Sequence, residues 1–153
     1  MPEDVPPKTE SRRAWMGLLA RAPAPRLAEL VAALSDPPTR TWLRPPEQGA
    51  VMVRARAGGT GAPFNLGEMT VTRASLRLPC GTVGHAWVQG RDPAHAEAAA
   101  LVDALMQTPR ADGIRAAVLD PLATEETERR AARAGKAAAT RVDFFTLVRG
   151  EDA

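Results

Sequence analysis

The sequence predicts an α+β fold: an N-terminal helical hairpin, then a mostly antiparallel sheet with helices packed on one face. Three observations carry this expectation. Apolar residues recur at helical spacing in the first 35 residues and then at a period of two. Three strand-like runs between residues 50 and 90 are joined by short links, which favours a meander over parallel crossovers. Asp92-Pro93, a good N-cap followed by a good first helical residue, opens a helix directly after the last run.

Residues 9–22 place Trp15, Leu18, Leu19 and Ala22 on one helical stripe, and Pro23-Ala24-Pro25 interrupts it. Leu27, Leu30, Val31 and Leu34 then complete an i, i+3, i+4, i+7 pattern that Asp36-Pro37-Pro38 stops. Residues 39–43 suggest a short strand. Residues 50–57 give a firm one, with Val51, Val53 and Ala55 facing opposite to Met52, Arg54 and Arg56. A glycine loop over 58–63 leads to a second strand at 67–78, where Arg73 and Arg77 share a face. The turn Pro79-Cys80-Gly81-Thr82 precedes a third strand at 84–90. After Asp92-Pro93, the apolar stripe is Ala94, Ala98, Leu101, Val102, Leu105 and Met106.

Residues 109–123 read as irregular. Residues 124–139 read as an alanine-rich helix with glutamates first and arginines later, pairing Glu125 with Arg129 and Glu126 with Arg130. That helix has no large apolar residue, so it is either a solvated face or a partner-facing one. Residues 142–148 read as a closing strand, with residues 1–8 a mobile tail and 9–153 one α+β domain.

A chain of 153 residues can bury a core without staples. One cysteine, Cys80, excludes an internal disulfide and a cysteine-built zinc cluster, and fits a reducing cytoplasm. No signal-peptide pattern opens the sequence, and Glu97 and Asp103 interrupt its Ala/Leu-rich stretch, so a membrane span is not expected. Net charge is +2, tyrosine is absent and phenylalanine numbers three, which disfavours a nucleic-acid interface. All basic residues except Lys8 and Lys136 are arginine, which suits phosphate or carboxylate recognition and equally reflects composition bias.

Three segments are candidates for chemistry or contact. Arg54 and Arg56 flank the loop Gly58-Gly59-Thr60-Gly61, which lacks the P-loop lysine and the following helix; it is either an anion contact or a hairpin loop needing positive φ. His85, Trp87 and Gln89 share one strand face, with Arg91 at a helix N-terminus that Asp92 also caps. Arg141, Asp143, Phe144, Phe145 and Arg149 close the chain, and the adjacent phenylalanines face opposite sides of a strand, so both sides need cover. His95 lies at the edge of an apolar stripe, as a packed histidine would. His85 and His95 with Glu97 or Asp103 match no metal-ligand spacing, and no Ser/His/Asp or Cys/His arrangement stands out. If the first hairpin is in register, Arg54, Arg56 and Arg73 converge on one anion or one acidic surface.

Together these blocks resemble the PhnG family, the G subunit of the bacterial carbon–phosphorus lyase system. The resemblance rests on Arg54-Ala55-Arg56-Ala57-Gly58-Gly59-Thr60-Gly61, Thr72-Arg73-Ala74, residues 84–92 with His95-Ala96-Glu97, residues 101–107 and residues 141–150, with Trp15-Met16 near the start. It covers nearly all the chain from Arg13, more loosely over 110–139. It implies a core complex with H, I and J subunits, the I subunit being the first expected partner. In that system the G, H and I components, with an ATPase-like L component, couple a phosphonate to the ribose of ATP with loss of adenine. Ribose 1-phosphonate 5-triphosphate forms, and the J component later cleaves the carbon–phosphorus bond. The nucleosidase activity is assigned to the I subunit, so no catalytic residue is carried over. MgATP and phosphonate are expected as substrates of the complex, with no cofactor bound by this chain. The sites expected for partner or anion contact are Arg54, Arg56, Arg73, His85, Gln89, Arg91 and Arg149. The competing expectation is a free-standing module that binds a phosphorylated small molecule through Arg54, Arg56, Arg73 and Arg91.

Overall fold

The computed structural model describes residues 7–141, with side chains from residue 9 onward. The predicted strand at 142–148, and Arg149 with it, lies outside the described residues. Helix α1 (Pro7–Arg21) and helix α2 (Ala24–Ala32) form the expected hairpin. α1 begins two residues earlier than its apolar stripe implies, because a proline suits a first helical turn. Leu19, Ala22 and Leu27 are its buried contacts, with Trp15, Leu18, Leu30, Val31 and Leu34 packed partly buried around them.

The sheet has three antiparallel strands in the order β1-β2-β3: β1 (Thr41–Arg56), β2 (Pro63–Arg77) and β3 (Val83–Gln89). β1 is one long strand, where the sequence suggests two short ones. Register shifts between Trp42 and Arg44 and between Arg44 and Glu47 absorb Pro45-Pro46. Prolines are tolerated there because β1 is an edge strand. β2 also begins four residues earlier than expected, at Pro63. The hairpin loop is a 3₁₀ turn at Ala57–Gly59, with φ of 60° at Gly58 and 82° at Gly59. This is the positive-φ loop reading of the glycine run.

β3 pairs only with the inner part of β2, from Val71 to Arg77. The rest of the β1–β2 hairpin therefore projects as a two-stranded arm of about 23 Å, at 3.3 Å per residue over residues 50–56.

Helix α3 (Pro93–Leu105) lies across β2 and β3 and is buried along its length. Asp92 caps it by accepting from the His95 backbone N–H at 2.9 Å. Ala100 and Ala104 lie against Gly84 of β3, and their small side chains let the helix sit close to the strand. Inward-facing Ala74, Leu76, Ala86 and Val88 meet it from the sheet. The helices thus cover one sheet face, as predicted.

Residues 109–123 correct the expectation of irregular structure. A short helix, α4 (Ala111–Ile114), runs through a π-turn (Arg115–Leu119) into helix α5 (Asp120–Ala139). Ile114, Val118 and Leu122 are buried at successive i+4 positions. Pro121 sits in the first turn of α5, and the π-turn before it takes up the register change. α5 makes the predicted Glu125–Arg129 and Glu126–Arg130 pairs at 3.9 and 2.9 Å. It is also tied to the hairpin by Arg21–Glu126 and Arg26–Glu125, each at 2.8 Å. Beyond Glu126 every residue of α5 is exposed. No helix among the described residues is long and apolar enough to cross a membrane.

Candidate interface on the open sheet face and the β-arm

β-alternation places the odd-numbered residues of β2 and β3 on the face that no helix covers. Cross-strand register then builds two polar rows. Glu47, Arg73 and Trp87 form one, and Arg44, Ser75 and His85 the other. Arg73 donates through Nε to Glu47, and its guanidinium carbon stands 5.4 Å from the Trp87 ring centroid. Arg44 also pairs with Glu47. The Arg44 and Arg73 guanidinium groups hold the Glu47 carboxyl below its ordinary value, with Arg44 the larger influence. Ser75 Oγ and His85 Nδ1 share a hydrogen bond of 2.8 Å. Sequence reasoning missed that pair, because only the strand register brings the two together.

The lowered Glu47 value gives a direct expectation. The carboxyl titrates below the usual carboxylate range, and Arg44→Met raises it more than Arg73→Met does. By linkage, any stability these pairs add is present above the unfolded-state value and lost as pH falls through the lower folded-state one. Carboxyl carbon-13 NMR titration of the three proteins checks the order.

The register corrects the expectation that three arginines converge. Arg54 stands opposite Asn65, and Arg56 opposite Pro63, whereas Arg73 stands opposite Glu47. From Glu47 to Arg54 is about 23 Å along β1. Arg56 donates instead to the Gly61 carbonyl across the loop, at 3.0 Å. The cause is the early start of β2, which carries the ladder farther out than the sequence pattern shows. Gln89 ends β3 on the open face opposite Val71, and Arg91 is exposed just beyond it.

The potential metal ligands separate. His95 is buried, and its Nε2–H donates to the Leu19 carbonyl at 2.8 Å, a structural link between α3 and α1. Glu97 pairs with Arg40. Asp103 is fully buried and accepts from Arg12 Nε and Nη2 (3.1 and 2.7 Å), Trp15 Nε1 (2.9 Å) and the His85 backbone N–H (2.8 Å). It binds α1, α3 and β3 into one unit. Among the described residues no group of three His, Cys, Asp or Glu side chains converges as a metal site.

Of the five large exposed apolar side chains among the described residues, Met52, Phe64 and Leu66 lie on the arm, and Leu43 and Trp87 lie on the inner sheet. Met52 is 50% exposed, Phe64 45% and Leu66 64%. The register shift between Val53 and Arg54 puts Met52, opposite Glu68, on the face that the helices cover farther in, and Phe64, opposite Ala55, on the other face, both beyond the end of the helical layer. An isolated two-stranded ribbon is marginal in water, so a long one with uncovered apolar residues is built to rest on something. The sequence pattern directed attention elsewhere, to residues 144–145 and to the helix after Thr124.

Residues 10–150 match the family described as phosphonate metabolism protein PhnG. The chain belongs to the PhnG family. A curated relative from Rhizobium meliloti (strain 1021), the alpha-D-ribose 1-methylphosphonate 5-triphosphate synthase subunit PhnG, is 47% identical over 141 residues. That likeness covers 92% of this chain and 90% of the relative. The arm, the open sheet face and the Asp103 cluster all lie within the PhnG match.

Proposed function

We propose that this chain is the G subunit of a ribose 1-methylphosphonate 5-triphosphate synthase in phosphonate catabolism. Its role is to assemble and hold that enzyme rather than to carry the reacting groups. The PhnG relationship supports the subunit role, since the R. meliloti relative is named as a subunit of that synthase. The observation that carries the assembly role is the projecting arm, whose Met52, Phe64 and Leu66 are exposed where no part of the described chain covers them. The H, I and J subunits are the proposed partners, with the I subunit first.

The free-standing module is the weaker reading. It needs Arg54, Arg56, Arg73 and Arg91 to act on one ligand, and β1–β2 register keeps Arg54 and Arg56 away from Arg73. Arg73 is moreover engaged by Glu47.

Replacing Phe64 and Leu66 together by serine tests the arm. Exposed changes of this kind usually move stability by about 0.5 kcal/mol or less. The double variant should therefore fold, while its co-purification with the tagged I subunit drops at least tenfold. Unchanged co-purification would remove the arm from the interface. Loss of folding would place Phe64 and Leu66 inside this chain's own core.

A further inference from the structure

We propose that the outer edge of β3 and the groove between it and α1 accept an extended segment of a partner subunit by strand addition. This rests on the subunit reading above and adds to it a second, chemically distinct contact. In an antiparallel ladder, alternate residues direct both backbone groups toward the neighbouring strand, and the others direct them away. Gly90 N–H donates to the Thr70 carbonyl at 2.9 Å, so the even-numbered residues of β3 serve β2. Val83, His85, Trp87 and Gln89 therefore point their backbone groups outward.

One end of that edge is already closed. The Val83 carbonyl accepts from Arg12 Nη2 at 3.3 Å and from Gln107 Nε2 at 2.9 Å, and His85 N–H donates to Asp103. The outward groups of Trp87 and Gln89 have no partner among the described residues. The other edge of the sheet differs. There β1 is interrupted by Pro45-Pro46 and three register shifts, features that block edge pairing. β3 carries no such device.

Beside the open part of β3 lies a groove of about 700 Å³. Its walls include Arg13, Met16, Leu19, Ala20, Ala86 and Ala99. It follows α1 over residues 9–20, about 16 Å at 1.5 Å per helical residue, which is the length of a strand of about five residues. An added strand would bond to Trp87 and Gln89 through its backbone and place alternate apolar side chains in the groove. Charge narrows the occupant further. Arg13, next to Arg12 at the Val83 end, is exposed and has no ion pair among the described residues. Arg91 is exposed just past the Gln89 end. The occupant is thus an apolar-alternating segment of a partner subunit with acidic residues at its ends.

Hydrogen–deuterium exchange of the full chain, alone and in the co-purified complex, tests this. The Trp87 and Gln89 amides should exchange freely in the chain alone and at least tenfold more slowly in the complex. Gln89→Pro removes an outward N–H without breaking the β2–β3 ladder, and should weaken complex formation at least tenfold. Arg13→Glu, a surface change that keeps the backbone intact, should weaken it at low salt and much less at high salt. Amides unprotected in a complex that still forms would overturn the strand addition alone. Concentration-independent protection in the isolated chain would assign the edge to the chain's own C-terminal segment, and concentration-dependent protection would assign it to a second copy; either overturns the proposal. Failure of any complex to form overturns both this proposal and the subunit reading.

Discussion

Gly84→Ala is expected to destabilise the chain by about 3 kcal/mol or more, at the upper end of overpacking effects. Gly84 lies on β3 where α3 crosses it. An added Cβ would collide with the Ala100 carbonyl oxygen and stand 2.8 Å from both the Ala104 Cβ and the Ala104 nitrogen. Two of those three atoms are helix backbone, so no side-chain rotation relieves the clash, and α3 must lift from the sheet. The lift would also pull Asp103 away from the His85 N–H. Gly49→Ala is the matched control. Nothing lies within 4 Å of its added Cβ and its φ is not positive, so its effect should stay near zero. Urea unfolding of the two variants separates them. Equal midpoints would mean that α3 does not approach β3 as described.

Asp103→Ala is expected to cost about 3 kcal/mol, the scale for removing one member of a buried, hydrogen-bonded charge pair. The carboxylate is fully buried, and its loss leaves the Trp15 indole N–H and the His85 amide without their acceptor. Arg12 loses less, because its side chain is 31% exposed and reaches water. Asp103→Asn should recover part of the loss, since a carbonyl oxygen still accepts from one or two donors. A double-mutant cycle between Arg12→Ala and Asp103→Ala should give a coupling of about 1–3 kcal/mol. A coupling below about 0.5 kcal/mol would show that Arg12 only decorates the cluster.

Where the sequence foretold the structure, one local rule had no competitor. The Asp92 cap, the alternation that exposes His85, Trp87 and Gln89, and the hairpin of α1 and α2 all follow from spacing over a few residues. Where it misled, a long-range term decided. Residues 39–43 and 50–57 read as two separate strands, but edge pairing with β2 carried β1 through Pro45-Pro46. Residues 109–123 read as irregular, but burial of Ile114, Val118 and Leu122 enforced helix. The candidate interface was legible in part. His85 and Arg73 were singled out, yet their partners Ser75 and Glu47 depend on register, which no local pattern states. Asp103 entered as a charge interrupting an apolar stretch and as a possible metal ligand, although it is the acidic position on the apolar run of α3 from Ala98 to Met106 that crosses β3. A lone acid on such a stripe signals a buried pair once an arginine on a neighbouring element can reach it.

The central claim is that the chain acts through assembly, and omission from a reconstituted synthase tests it most directly. Methylphosphonate-dependent release of adenine from ATP would be followed with the H, I, J and L subunits of the same source, with and without this chain, and with this chain alone. The account predicts no release by the chain alone, full release by the complete set, and at least a tenfold loss when the chain is omitted. Adenine release by the purified chain alone, or an undiminished rate without it, would contradict the account.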